Sequence, residues 1–297
     1  MKISIVTCCK NAEKLIGETI ESVITQVGEF EIDCVIIDGA STDRTFQIIE
    51  DYANRVNNGH VKLGCGELKI RYLTEKDRGL YDGLLKGFNL ANGEIIAYLN
   101  AGDFYLPNAL STVIDIFKSF PEVKWLTGFN VWYNEKGQII SVFKPYKYAR
   151  KWILSGVYGY FLPFIQQEST FWRRELLSFP EIVKIKNYKL AGDYFLWYNF
   201  AKKEKLYVAY SAFGGFRIHH GQLSEKIYDY IREMKLINNN RRVWPWSYFV
   251  IFLHNLICYL PDRLKWMIDD TIIRYDTNKR KWVKGGILLR RKVEDIK

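Results

Sequence analysis

Short β-branched runs alternate with amphipathic helical patterns over the first hundred residues, and this alternation constrains the fold more than any other feature. Apolar runs at 3–7, 34–37, 68–73 and 95–99 predict four strands, and the segments between them have the apolar spacing of helices. Strands that alternate with helices form a mostly parallel sheet with right-handed crossovers. The sequence therefore predicts an α/β domain in which helices flank a mostly parallel sheet.

An acidic residue follows three of the predicted strands, namely Asp38, Asp77 and Asp103. Ligands of open parallel sheets bind beyond the carboxyl ends of the strands, so we expect these carboxylates to gather at one edge. Asp103 follows an Ala-Gly turn in "AYLNAGDFYLP". A carboxylate there fits Mg²⁺ or Mn²⁺, because such ions bind through one or two carboxylates together with substrate phosphates.

Three further stretches carry polar side chains of a catalytic type. "EKDRGLYDGLLKG" (75–87) places cations beside acids, which suits a metal-bound diphosphate. "LAGDYFLW" places Asp193 before an aromatic run, where a carboxylate fits either a general base or a helix N-cap. "FRIHHGQLS" (216–224) contains adjacent histidines, and on a strand only one of the two can face a site.

The formal net charge of +10 and the pI near 9.2 predict an anionic partner: a nucleotide, a nucleic acid or an anionic membrane. The run "KRKWVKGGILLRRK" (279–292) is nearly all basic, and this uneven charge disfavours a nucleic-acid groove along the whole domain. The five cysteines include no C-x-x-C pair, which favours a reducing compartment and disfavours a structural zinc site. The chain opens on a strand and not on a signal peptide, which predicts a cytoplasmic protein.

As an ordered set, these motifs resemble the GT-A glycosyltransferases of family 2, which are inverting enzymes that use sugar nucleotides. The resemblance covers about residues 1–225, and five stretches carry it: "ISIVTCCKNAEKLIGETIESVITQ", "VIIDGASTDRT", "EKDRGLYDGLLKGFNLANGEIIAYLNAGD", "GD" at 192–193 and "FRIHHGQLS". It implies a GT-A, Rossmann-like fold for this part of the chain. It implies donor-binding roles for Thr7, Asn11, Asp38, Asp77, Arg78 and Asn100.

The same resemblance implies that Asp103 and His219 bind Mn²⁺ or Mg²⁺ and that Asp193 deprotonates the acceptor hydroxyl. The implied donor is a nucleoside-diphosphate sugar, with a UDP-sugar expected. The implied acceptor is a hydroxyl of a glycan or a lipid-linked molecule in cell-surface polysaccharide or glycan biosynthesis. Two positions depart from the family pattern, since Gly102 stands where members often carry a second acid and Gly192 where the base usually follows Glu.

Two other functions remain open at this point. A metal-dependent nucleotidyltransferase also combines an α/β sheet with a nucleotide, but its usual glycine-rich loop is missing from "TCCKNAEK". A basic nucleic-acid-binding protein would have to tolerate acids at the strand ends, which repel phosphate, so we expect no nucleic acid as a partner. If Asp193 is only a helix cap, Glu168 becomes the candidate base.

Residues 226–297 are expected to form a helical extension that is rich in basic and aromatic residues. The stretch Trp244–Leu260 lies at the short end for a spanning helix and contains Pro245, which disfavours a transmembrane role. Apolar residues in 262–275 have helical spacing, and the basic run at 279–292 follows. This pattern predicts helices lying on an anionic membrane at its cytoplasmic face. The alternatives are packing on the first domain and a contact between copies of the chain.

Overall fold

The computed structural model describes residues 1–286 apart from 178–179, 220, 240–248, 250, 251, 253 and 255. The elements of the first half are, in chain order, β1 (Lys2–Cys9), α1 (Ile16–Ile24), β2 (Val27–Asp38), α2 (Thr45–Asn57), β3 (Gly64–Thr74), α3 (Leu80–Leu90), β4 (Ile95–Tyr98), β5 (Phe104–Tyr105), α4 (Ala109–Ser119), β6 (Trp125–Tyr133) and β7 (Ile139–Phe143). The elements that follow are α5 (Arg150–Ser155), α6 (Val157–Tyr160), β8 (Thr170–Arg173), α7 (Gly192–Lys203), β9 (Tyr207–Ala212), β10 (Gly214–Arg217), α8 (Ile227–Ile237), α9 (Asp262–Ile268), β11 (Ile272–Asp276) and β12 (Lys281–Lys284). Short 3₁₀ turns lie at Gln167–Ser169, Arg174–Leu176, Glu181–Asn187 and Leu223–Glu225.

Among the described residues, the strands form one twelve-stranded sheet whose main path runs β12-β11-β9-β6-β8-β4-β1-β2-β3. Strands β1 to β4 pair in parallel, as the strand-helix alternation predicts. Strand β8 enters the sheet antiparallel to both β4 and β6. The mixed α/β class with a mostly parallel amino-terminal sheet is therefore confirmed.

Apolar helix faces cover both sides of this sheet. Along β1, the side chains of Ile3 and Ile5 join the core under α1, α2 and α4, while Val6 and Cys8 join the core under α3 and α7. This alternation follows from the two-residue period of a strand, which sends successive side chains to opposite faces. Because both faces are covered, the free edge at the carboxyl ends of β1, β2 and β4 is left for a ligand.

The carboxyl-terminal region differs from the predicted helical extension, because β11 and β12 continue the central sheet. Ile272 pairs with Val208 of β9 and is fully buried. Helix α9 ends at Ile268, since the Asp269 carboxylate accepts hydrogen bonds from the backbone N–H (2.8 Å) and hydroxyl (2.6 Å) of Thr271 and turns the chain. The β-branched pair that follows suits a strand better than a helix.

Nine of the 17 residues of the stretch Trp244–Leu260 lie outside the described residues. Within the described part of the chain, no helix combines the length and apolar character needed to cross a membrane.

Candidate active site

The loops after β1 and β2 are tied together around Asp38, the last residue of β2. The Asp38 carboxylate is fully buried and accepts hydrogen bonds from the backbone N–H (3.2 Å) and hydroxyl of Ser41. The Asn11 backbone N–H donates to the Ser41 hydroxyl (2.8 Å), and the Asn11 side-chain oxygen accepts from the Thr42 backbone N–H (2.9 Å). Asn11 and Asp38, both predicted to hold the donor, therefore lie in one hydrogen-bonded loop cluster.

Cys9 is closer to this cluster than the predicted donor-binding residue Thr7. Thr7 lies within β1 and is 1% exposed, whereas Cys9 is the last residue of that strand. The Cys9 sulfur lies 4.0 Å from Oδ1 of Asp38, and burial together with the Asp38 charge raises the pKa of the thiol. The thiol is therefore a protonated, weak donor beside the carboxylate. The sequence could have indicated this contact, because Cys9 ends the apolar stretch that forms β1 and therefore lies at the sheet edge.

Asp77 and Arg78 follow β3 and flank the same edge. Asp77 Oδ1 accepts a hydrogen bond from the backbone N–H of Gly79 (3.1 Å). A Cβ added to Gly39 would lie 2.6 Å from Asp77 Oδ2, so the missing side chain lets this carboxylate approach the end of β2. The backbone N–H of Arg78 donates to Asp82 (3.1 Å), and the Arg78 side chain is exposed.

Asp103 is buried at the turn after β4 and is held from two sides. Its Oδ1 accepts from the backbone N–H of Arg217 (3.1 Å) and its Oδ2 from the Gln167 amide (2.9 Å). Burial raises the pKa of Asp103 to about 7, against the lowering effect of these hydrogen bonds. Each carboxylate oxygen accepts one of these two bonds and so keeps lone-pair capacity for a cation.

The turn that carries Asp103 is fixed by α1 and by β10. The Thr19 hydroxyl donates to the Asp103 carbonyl (2.8 Å) and accepts from the Gly102 backbone N–H (2.8 Å). The buried Arg217 guanidinium donates to the Gly102 carbonyl (3.1 Å) and forms an ion pair with Glu18 (2.5 Å). The carboxylate is therefore presented by a turn with little freedom to move.

Several buried polar atoms near Asp103 have no hydrogen-bond partner in the described part of the chain: Asn100 Oδ1, Gln167 Oε1 and both carboxylate oxygens of Glu168. Glu168 is 1% exposed, and burial together with the Asp103 charge raises its pKa well above the ordinary value. The described residues include no group of three His, Cys, Asp or Glu side chains that could hold a metal unaided. These oxygen donors fit Mn²⁺ or Mg²⁺ if a ligand's phosphates complete the coordination.

His219, the second predicted metal ligand, lies two residues after Arg217, whose backbone contacts Asp103. The His219 backbone N–H donates to the Gln222 side-chain oxygen (3.0 Å), which fixes the chain after β10. His220, its neighbour in the predicted motif, lies outside the described residues.

Asp193 lies in the first turn of α7 and does not cap that helix, since the N-cap position is Ala191. Its Oδ1 accepts from the Tyr230 hydroxyl (2.9 Å), the Tyr194 backbone N–H (2.7 Å) and, at 3.5 Å, the Tyr81 hydroxyl. Burial raises the pKa of Asp193 to about 6, and the hydrogen bond from Tyr230 opposes this rise. A carboxyl with this pKa is suited to general-base chemistry near neutral pH.

Glu168 links the two acids, because the negative charges of both Asp103 and Asp193 raise its pKa. The structure thus places Asp103 and Asp193 close enough to Glu168 for both charges to act on it, and it joins Asn11, Asp38 and Asp77 in a second group at the ends of β1, β2 and β3. Sequence reasoning assigned no role to Gln167, Tyr81, Tyr230 or the backbone of Arg217, because their contacts join segments far apart in the chain.

Comparisons with known proteins agree with this geometry. The family model described as Glycosyl transferase family 2 matches residues 4–152, half of the chain. The chain is 27% identical over 119 residues to an uncharacterized glycosyltransferase of Nostoc sp. (40% of this chain, 34% of the relative). It is 30% identical over 105 residues to the Staphylococcus aureus poly(ribitol-phosphate) beta-N-acetylglucosaminyltransferase TarS (35% of this chain, 17% of the relative). The chain thus spans well under two thirds of these relatives.

Two solved structures share the fold. Residues 1–349 of S. aureus TarS in complex with UDP-GlcNAc match with a TM-score of 0.56 and 20% identity, covering 90% of this chain and 70% of that one. A mannosyltransferase from Pyrobaculum calidifontis in complex with GDP-Man and Mn²⁺ matches with a TM-score of 0.59 and 15% identity, covering 89% and 71%. At these identities the likeness establishes the GT-A architecture.

Proposed function

The chain belongs to glycosyl transferase family 2, and from this premise we propose that it transfers a sugar from a nucleoside-diphosphate sugar to an acceptor hydroxyl with inversion at the anomeric carbon. One observation carries the proposal. Two separate buried carboxylates, Asp103 and Asp193, are each held in place by hydrogen bonds. Family membership favours this reaction over the nucleotidyl transfer and nucleic-acid binding that the sequence left open.

The donor in this proposal is a UDP-sugar. The cluster around Asn11 and Asp38 would bind the nucleoside, with Thr7 behind it in β1, because a buried carboxylate accepts hydrogen bonds from a nucleobase or a ribose. Asp77 and Arg78 lie beside this cluster, where the exposed guanidinium would face the diphosphate. A TarS structure contains UDP-GlcNAc, which supports a uridine nucleotide as the first donor to test.

A divalent cation would be held by Asp103, with His219 and the donor's diphosphate, and when bound it neutralises charge on the leaving diphosphate. The unpartnered Asn100 oxygen, next to this turn, would accept a hydrogen bond from the donor. Asp193 takes the proton of the acceptor hydroxyl on the opposite face of the sugar. With its pKa raised to about 6, most of this carboxyl is ionised at neutral pH and able to accept that proton.

The acceptor in this proposal is a glycan or lipid-linked molecule, and the enzyme acts at the cytoplasmic face of an anionic membrane. Support comes from exposed apolar side chains near the carboxyl terminus: Phe249, Phe252, Leu256, Tyr259 and Leu260, which are 39–88% exposed. A row of exposed aromatic and aliphatic residues followed by cations is typical of segments that lie in a membrane interface. A contact between two copies of the chain is the alternative use of this surface.

The proposal is tested by a thermal-stability screen of UDP-, GDP- and dTDP-sugars with Mn²⁺ present. A ligand at 100 times its Kd adds about 2.7 kcal/mol to the free energy of unfolding, so the correct donor raises the melting temperature measurably. The same nucleotides with EDTA, and a DNA duplex in low and high salt, are the controls. Stabilisation by DNA alone, with every sugar nucleotide silent, would contradict the proposal.

A further inference from the structure

Helix α8 lies beyond residues 4–152, which the family model matches, yet it contacts helix α7, which carries the candidate base. Its Tyr230 hydroxyl donates to Asp193 Oδ1 at 2.9 Å. One turn further along, Glu233 binds the backbone just before Asp193. We propose that Tyr230 and Glu233 are positioning residues that fix the Asp193 carboxylate and leave its Oδ2 as the atom that takes the acceptor proton.

Glu233 anchors the start of α7. Its carboxylate accepts hydrogen bonds from the backbone N–H groups of Lys189 (3.0 Å), Leu190 (2.9 Å) and Ala191 (2.9 Å). Bonds from backbone N–H groups to a carboxylate are short and strong, and the positive end of the α7 dipole adds to the attraction. A single side chain of α8 therefore sets the path of the chain two residues before the base.

Three donors from other residues, the Tyr230 and Tyr81 hydroxyls and the Tyr194 backbone N–H, all reach Oδ1 of Asp193. The Tyr230 hydroxyl and the Tyr194 backbone N–H lie at 2.9 and 2.7 Å, and the Tyr81 hydroxyl at 3.5 Å. Tyr81 donates its proton to the Leu190 carbonyl at 2.7 Å, which leaves Tyr230 as the principal side-chain donor. Because Oδ1 is crowded, Oδ2 has the lone pair available for an acceptor hydroxyl.

The ionisable groups near Asp193 include the Glu168 carboxyl and the phenols of Tyr81, Tyr98 and Tyr230. Glu168 is a neighbouring carboxyl, and burial together with the Asp103 charge raises its own pKa well above the ordinary value. Burial likewise raises the pKa values of the Tyr81, Tyr98 and Tyr230 phenols, so these three remain protonated. The Tyr230 proton is therefore available to stabilise the ionised form of Asp193, and its loss would raise the pKa of that carboxyl.

This inference rests on the proposed function, in which Asp193 is the base. In the transfer step, the acceptor oxygen forms a bond to the anomeric carbon as its proton moves to Asp193 Oδ2. The bond from that carbon to the diphosphate breaks, and its electron pair leaves with the nucleoside diphosphate. Tyr230 keeps its proton throughout and holds Oδ1.

The direct test is a ¹³C NMR titration of the Asp193 carboxyl carbon, assigned by its loss in Asp193→Asn. Tyr230→Phe removes only the hydroxyl, and we expect it to raise the pKa of Asp193 by about one to two units, the shift that corresponds to one lost hydrogen bond to a charged group. Tyr228→Phe is the matched control, because Tyr228 lies on the same helix and is 85% exposed. An Asp193 titration in Tyr230→Phe that matches the wild type would overturn the inference.

The second readout is enzyme activity. It is measured as the UDP or GDP that is released from UDP-GlcNAc or GDP-mannose when water is the acceptor. Tyr230→Phe is expected to move the acid limb of the kcat profile to higher pH while UDP binding stays unchanged. Glu233→Gln is expected to lower kcat without changing the Kd for UDP, and an unchanged kcat would contradict its role. A wild-type chain that binds and hydrolyses no sugar nucleotide would refute the proposed function, while the NMR titration still decides the role of Tyr230.

Discussion

The ring of Tyr81 occupies the space that a side chain at residue 192 would need: a Cβ added to Gly192 would lie 2.4 Å from Cδ1 of Tyr81. This contact explains why glycine stands where the family pattern has Glu before the base. Tyr81 donates to the Leu190 carbonyl (2.7 Å) across this glycine and so packs against the start of α7, which carries Asp193. Glycine replaces the family's Glu at this position, and Tyr81 of α3 fills the space beside it.

Gly192→Ala is therefore expected to displace the Tyr81 ring and the first turn of α7. Overpacking of this kind costs about 1–3 kcal/mol in the free energy of unfolding, and the moved base should lower kcat. Gly17→Ala is the matched control, since a Cβ there would meet Tyr52 at an ordinary 3.7 Å. Urea unfolding and kcat are measured for both variants; a Gly192→Ala protein as stable and active as Gly17→Ala would contradict the packing argument.

Asp193→Asn is expected to lower turnover by about 10²–10⁴-fold, the range for a lost general base, with UDP binding retained. The wild-type rate should fall as the pH drops through about 6, because protonation of Asp193 removes the base. The exposed Asp229→Asn serves as the control, and kcat against pH is the measurement. If Asp193→Asn keeps near-wild-type turnover, Glu168 becomes the candidate base.

The strand-end acids could be predicted because they depend on local pattern. The alternation of strands and helices places the ends of β1, β2 and β4 at one edge, and Asp38 and Asp103 follow from that placement. Cys9, the last residue of β1, contacts Asp38, whereas Thr7 lies two positions earlier within the strand, and its donor-binding role stays a prediction.

The remaining contacts were beyond sequence reasoning because they join distant segments. Gln167 reaches Asp103 across 64 residues, and Tyr230 reaches Asp193 across 37. Neither side chain belongs to a local motif. The strands at 272–284 were likewise missed, because their apolar residues also fit a helical spacing until Asp269 ends the helix.

Trp172→Ala is expected to destabilise the fold by about 3–5 kcal/mol, the cost of truncating a buried tryptophan. Trp172 of β8 is fully buried and packs edge-on against Phe88 and Trp197, with ring centroids 5.9 and 5.7 Å away. The exposed Tyr228→Ala is the control. Equal unfolding midpoints in guanidinium for the two variants would argue that this aromatic cluster contributes little.

The exposed carboxyl-terminal surface predicts salt-dependent flotation with vesicles of phosphatidylglycerol and phosphatidylcholine. Phe252→Ser with Leu256→Ser should weaken flotation, because these side chains are 57% and 49% exposed. Leu236→Ser is the control and should leave flotation unchanged, because Leu236 lies on α8 and is also exposed (62%). Wild-type protein that stays in the soluble fraction at both low and high salt would refute membrane attachment.

The most direct test of the central claim is calorimetric titration of UDP into the wild type and Asp103→Asn, each with Mn²⁺ and with EDTA. Asp115→Asn, an exposed acid on α4, is the control. The account predicts Mn²⁺-dependent UDP binding in the wild type and in Asp115→Asn, and its loss in Asp103→Asn with the melting transition still cooperative. UDP binding of equal strength in all three proteins, or no dependence on Mn²⁺ in the wild type, would contradict it.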